Sequence, residues 1–130
     1  MFVGCSYTNP TTKQKQFAQY WPTGTVAADA VAYIVDDPSV VFKVVVTDSS
    51  SDMSSAARAA VGSNMSVIQG TGDANTGNSA VSVLAGSEGT TATLPVRVID
   101  VVEETATGSD TFVELIVKIN THQYNNTTGV

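Results

Sequence analysis

AVAYIVDDPSVVFKVVV, residues 30–46, decides the fold class of this chain. Two β-branched runs, Ala30 to Val35 and Val40 to Val46, flank the turn formers Asp36-Asp37-Pro38-Ser39. High strand propensity on both sides of a turn predicts a β-hairpin. In the second run Phe42, Val44 and Val46 fall on one face. The other face holds Val41 and Val45 around Lys43. A strand apolar on both sides belongs in a closed barrel, or beneath a covering chain.

Toward the C-terminus the pattern changes once and then returns. TDSSSDMSSAARAAVG, residues 47–62, is helical in character. Asp52 or Ser54 can cap, Ala56 to Ala60 supplies good helix formers, and Gly62 stands where a left-handed stop belongs. These signals predict one short helix of about two turns over Ser54 to Val61, with a plain loop as the alternative because isolated short helices are marginal. Strands resume at Met65 to Gln69 and Ser79 to Leu84, around a Gly/Asn/Thr loop from Gly70 to Asn78. A further strand is expected over Thr91 to Asp100, with Pro95 pointing to an edge or a bulge. A last hairpin turns near Thr107-Gly108-Ser109. Its second strand alternates, with Val113, Leu115, Val117 and Ile119 on one face and Glu114, Lys118 and Asn120 on the other. Six or seven short strands at this spacing indicate an all-β domain, a small β-barrel or β-sandwich with one short helix.

Toward the N-terminus the regular apolar period disappears. VGCSYTNPTTKQKQFAQYWPTGT, residues 3–25, holds the only Cys, the only Trp and no acid. The segment reads as neither helix nor strand. Residues 1–25 are therefore expected to form an extended, irregular arm ahead of a β-domain spanning 26–130. Phe2, Tyr7, Phe17, Tyr20 and Trp21 are five of the nine aromatic residues, all within the first 21 positions. They fit two roles: a flap folded back on the barrel, or anchors for a partner, since Trp and Tyr dominate interface hot spots.

Composition narrows the function. A chain of 130 residues is one domain by ordinary expectation. With 42% apolar residues it can build a core without staples. Only 14% is charged, against a usual ~25%, which suits extended structure and contact with neighbours. The net charge of −6 argues against nucleic acid as a partner, because phosphate neutralisation needs a basic face. No run approaches the ~18 apolar residues of a membrane span, and no basic segment precedes an apolar one as in a secretory signal. The chain reads as soluble and made in a reducing cytoplasm. A single Cys excludes an internal disulfide and a thiolate zinc site.

No constellation carries catalysis. The loop Asp73-Ala74-Asn75-Thr76-Gly77 begins like a calcium loop, but its glycine comes one position early and Leu84 stands where a bidentate Glu is required. Gly70 and Gly72 begin a dinucleotide fingerprint that Asn75 breaks. The one Cys–His pairing, Cys5 with His122, joins opposite ends of the chain without a nucleophile turn. Asp36-Asp37 and Glu103-Glu104 are adjacent acids of the kind that flank turns. The expectation is no enzyme, no metal and no cofactor.

FVGCSYTNPTTKQKQFAQYWPTGT, residues 2–25, and FVELIVKINTHQY, residues 112–124, together resemble a group of small structural proteins of tailed bacteriophages. In that group a VGC-Y segment leads to a YWP motif. A TG-S loop follows, here Thr76-Gly77-Asn78-Ser79, and then a V-IN-HQY ending, here Val117 to Tyr124. The resemblance implies a virion component of the head-decoration, or capsid cement, type. Its partner would be the major capsid protein on the outer surface of the phage head, with neighbouring copies of itself as a further contact. Phe2, Tyr7, Phe17, Tyr20 and Trp21 would be the contact residues. Two alternatives stay open: a tail or neck component, and a carbohydrate-binding β-domain in which Trp21, Tyr20 and Tyr33 stack on sugars.

Overall fold

A computed structural model describes residues 1–47, 53, 57–108 and 112–125. The chain divides into two compact units. One comprises Met1–Asp37 with Thr71–Ala80, the other Pro38–Gly70 with Val81–Val130. All regular structure in the described residues is strand, apart from three single turns of 3-10 helix.

In the first unit, strand β1 (Phe2–Thr8) runs between β2 (Lys15–Ala18) and β3 (Val31–Ile34), antiparallel to both. The N-terminal segment is thus more regular than its sequence indicates, because it supplies β1 and β2. The turn between them is built on Asn9. Its Oδ1 accepts the backbone N–H groups of Thr11 (2.8 Å) and Thr12 (3.1 Å), and its carbonyl accepts from Lys13 (2.9 Å). Asn side chains favour such turns because they satisfy the local backbone. Lys13 closes the turn at φ 60°, a conformation non-glycine residues seldom adopt. At the base of the same turn, the Asp29 carboxylate accepts from the Thr8 N–H (2.9 Å) and hydroxyl (2.7 Å), and pairs with Lys15 (3.3 Å).

The second unit contains β4 (Val41–Thr47), β5 (Asn64–Met65), β6 (Val67–Gln69), β7 (Val81–Leu84), β8 (Val96–Val101) and β9 (Val113–Ile119). Their sheet order is β5-β8-β9-β4-β7-β6. The first and last members of that order, β5 and β6, are separated in the chain by Ser66 alone. One bent segment pairs with β8 at one end and β7 at the other, so the sheet nearly closes into a six-stranded barrel. Closure leaves few exposed edges for non-native pairing. Ser66 occupies the corner, its N–H donating to Ser87 Oγ (3.0 Å) and its carbonyl accepting from Leu84 (3.0 Å). All pairs are antiparallel except β4 with β7. The core is Met65, Val83, Val98, Val113, Leu115 and Val117, packed by Phe42 and Val44. Val113, Leu115 and Val117 point inward, as the alternation along β9 requires.

Buried polar groups lock this barrel. Asn64 Nδ2 donates to the Thr91 carbonyl (3.0 Å) and its Oδ1 accepts from Arg97 Nε (3.0 Å), while its backbone exchanges two bonds with Gly89. The hydroxyls of Ser82 and Thr47 bond each other between β7 and β4.

Three local expectations are corrected. Residues 30–35 and 40–46 are strands but do not pair as a hairpin. β3 bonds to β1, and β4 lies between β9 and β7. Propensity identifies strands, whereas partners are chosen by which apolar faces share a core. The strand expected over Thr91 to Asp100 starts only at Val96, after Pro95. Residues 91–94 turn instead, with Asn120 Nδ2 donating to the carbonyls of Ala92 and Leu94 (both 3.0 Å). A bulge does occur in β8, between Val98 and Asp100. The described part of the expected helix is one 3-10 turn, Ala57–Ala60, with Ala57 and Ala60 buried. Ser54–Ala56 and Ser109 lie outside the described residues. β8 and β9 do pair as the final hairpin. The described part of their connection holds the 3-10 turn Glu103–Thr105, and the expected turn at Thr107-Gly108-Ser109 falls partly outside the described residues.

Candidate partner-binding surface

Register on β1 sorts the first unit's side chains onto two faces. Cys5 sits beside Ala18 and Ala32, whereas Ser6 sits between Phe17 and Val31. On the Cys5 face the chain after β2 folds back over the sheet. Cys5 Sγ, itself buried, donates to the Tyr20 carbonyl (3.4 Å). Tyr7 is 5% exposed and meets Trp21 edge-on, with ring centroids 5.2 Å apart and planes at 60°. Such a pair contributes about 0.5–1.5 kcal/mol beyond area burial, and holds the indole in place.

The loop from residue 71 to 80 supports the next ring. Its conformation is set by Asp73, whose Oδ1 accepts from the backbone N–H groups of Asn75 (2.7 Å) and Thr76 (3.4 Å). Those two bonds lower the Asp73 pKa. The carboxylate whose spacing resembles a calcium ligand is thus engaged in closing its own turn. Gly77, at φ 72°, lies directly beneath the Tyr20 ring, and Gln19 Nε2 donates to the Thr76 carbonyl (2.6 Å). Glycine is required there twice, for the backbone angle and for the close approach of the ring.

The five aromatic residues singled out by the sequence are therefore brought into one unit but play different parts. Phe17 is 75% exposed, Phe2 44% and Trp21 41%. Tyr20 is half-buried against Gly77, and Tyr7 is interior, acting as a prop for Trp21. Sequence reasoning missed Val31 and Ile34, which are also exposed on β3, and named Tyr33 only for sugar stacking. They read as ordinary hairpin residues while β4 was the expected partner. Tyr33 also donates its hydroxyl to the buried Ser6 Oγ (3.1 Å), a cross-strand clasp.

Two cavities border this surface. One of about 300 Å³ is almost wholly apolar and is lined by Phe2, Cys5, Trp21, Ala30, Val31 and Ala32. A more polar one of about 500 Å³ lies between Tyr20–Thr23 and the Asp73 loop. Cys5 and His122 are separately engaged, since His122 Nδ1 accepts from the Tyr124 N–H (3.1 Å). Glu103 pairs with Arg58 (3.6 Å). Among the described residues, no three His, Cys, Asp or Glu side chains gather in a way that could hold a metal ion.

No protein family, curated protein or solved structure matches the chain.

Proposed function

We propose that this chain is a head-decoration protein of a tailed bacteriophage, binding the major capsid protein on the outer surface of the shell. One observation carries the proposal: Phe2, Phe17 and Trp21 stand exposed on a unit that also exposes Val31, Tyr33 and Ile34. By register Phe17 and Val31 flank Ser6 on one face of the sheet, while Trp21 lies by Cys5 on the other. Both faces thus offer large apolar side chains, and exposed apolar surface of this kind marks interaction sites. The VGC-Y, YWP and V-IN-HQY motifs agree with it. So does the division of labour between units, one a nearly closed barrel with few exposed edges, the other rich in exposed rings.

The protein acts by binding, with no chemical step. Its −6 charge keeps free copies apart and repels DNA. The major capsid protein then presents many equivalent sites, and each decoration subunit contributes adhesive area without changing the lattice.

Phe17→Ser tests the anchor. So exposed a ring contributes little to folding, within about 0.5 kcal/mol at most surface sites. A hot-spot aromatic costs about 2 kcal/mol or more in binding, roughly thirtyfold in affinity. Phe17→Ser and Trp21→Ala should bind expanded shells correspondingly less well while keeping the wild-type circular dichroism spectrum. Full occupancy by both variants would sink the proposal that these rings face the capsid.

A further inference from the structure

A short sheet has two outer strands, and proteins usually blunt such edges with Lys, Pro or bulges. In the first unit β2 carries Lys15, with Lys13 just before it. β3 has no such guard. Val31, Ala32, Tyr33 and Ile34 are all exposed, and none is charged. Ladder geometry fixes which backbone groups remain open. Val35 exchanges both bonds with Met1 (2.7 and 2.8 Å), so its N–H and C=O face β1. Direction alternates along an antiparallel strand. Val31 and Tyr33 therefore face β1 too, while Ala32 and Ile34 turn their N–H and C=O outward. The apolar cavity of about 300 Å³ lies against this same strand, with Ala30, Val31 and Ala32 in its wall.

We propose that β3 is a strand-acceptor edge, and that its occupant is an extended segment of the partner protein with alternating apolar residues and basic flanks. Main-chain bonds to Ala32 and Ile34 would supply affinity, and one side chain of the added strand would enter the cavity between Phe2 and Trp21. Charge selects a different protein over a second copy of this one. Residues 26–41 contain Asp36, Asp37 and Asp29, the last paired with Lys15, and no Lys, Arg or His. Pairing two copies edge to edge would bring two such acidic segments together, and like charges opposed across strands are destabilising. A strand flanked by Lys or Arg meets the opposite charge. The inference rests on the decoration reading only for the source of the strand, a capsid subunit.

The test uses the full chain and two substitutions at one position. Ile34→Pro removes an outward donor and leaves the bonds to β1 in place, the one setting in which an edge strand accepts Pro. Ile34→Thr keeps the donor and strand propensity. Both variants lose the same exposed apolar side chain, so Ile34→Thr is the matched reference. On expanded shells, Ile34→Pro should bind about five- to tenfold more weakly than Ile34→Thr, the worth of one backbone bond. Equal binding by Ile34→Thr and Ile34→Pro would overturn the acceptor edge and leave the decoration reading standing. Should wild type itself fail to bind shells, the decoration reading falls and a peptide decides the edge alone. The probe is an alternating Thr-Val peptide with Lys at both ends, at about 1 mM, read by amide hydrogen exchange. Slowed exchange at Ala32 and Ile34 of the wild type, with the Ala32 amide no longer slowed in Ile34→Pro, supports the inference. Unchanged exchange at both amides overturns it.

Discussion

Replacing Gly77 by Ala isolates the contact that seats Tyr20. A Cβ at Gly77 would stand 2.5 Å from Tyr20 Cγ and 2.6 Å from Cε1, far inside contact distance. Gly77 also has φ 72°, where an L-residue costs about 1–2 kcal/mol. Gly24 provides the control, because its φ is 78° and nothing lies within 4 Å of the corresponding Cβ. The two substitutions share the backbone cost and the unfolded-state entropy gain. They differ only in the ring, and forcing extra atoms into a packed contact costs about 1–3 kcal/mol. Gly77→Ala should therefore be about 1–3 kcal/mol more destabilising than Gly24→Ala. Urea unfolding followed by fluorescence of Trp21, the only Trp, reads the first unit directly. In a Tyr20→Ala background the extra cost should vanish. If Gly77→Ala and Gly24→Ala differ by less than about 0.5 kcal/mol, the ring does not rest where the structure puts it.

Three further outcomes follow from the packing. Asn64→Ala should cost about 1–3 kcal/mol in chemical denaturation, because it removes both bonds of a buried amide, to the Thr91 carbonyl and from Arg97 Nε, each worth about 0.5–1.5 kcal/mol; a neutral result would contradict its role in the barrel. Asp29 is held at a pKa of about 2, below its ordinary 3.8, first by the Thr8 hydroxyl, then by the Thr8 N–H and Lys15. A carboxylate with a lowered folded pKa stabilises above its unfolded pKa and loses that contribution as pH falls through the folded one. Asp29→Asn should thus flatten the decline in stability between pH 3.8 and about 2, and an unchanged acid profile would speak against the Thr8 bonds. Cys5 is 2% exposed, so its thiol should resist a water-soluble thiol reagent until urea opens the first unit; rapid labelling of native protein would contradict the burial.

How much was readable in the sequence depended on the range of the pairing. β9 announced itself because Val113, Leu115 and Val117 alternate over a buried face, and the turn after β8 placed its partner. β7 and the Asp73 loop were marked by their own residues. β1 and β2 were not, since Gly4, Cys5, Ser6 and Lys15-Gln16 carry little strand propensity and no apolar period. Their signal was the Asn9-Pro10-Thr11-Thr12 turn, a local one that the aromatic content obscured. Closure of the barrel through Ser66 was invisible, because a bent segment of six residues looks like one strand. The aromatic cluster was legible as composition alone. That Tyr7 is a prop and Phe17 a free ring depends on register, which composition does not contain. Register also changes how the decoration reading must be tested. Deleting the first 21 residues would remove the central strand of a sheet, so single exposed rings are the proper targets.

Co-sedimentation of purified protein with undecorated, expanded capsids tests the central claim most directly. Saturable binding at an integral ratio to the capsid subunit, weakened by Phe17→Ser, is the expected result. Absence of binding at micromolar protein, with the protein recovered from tail fractions instead, would contradict it.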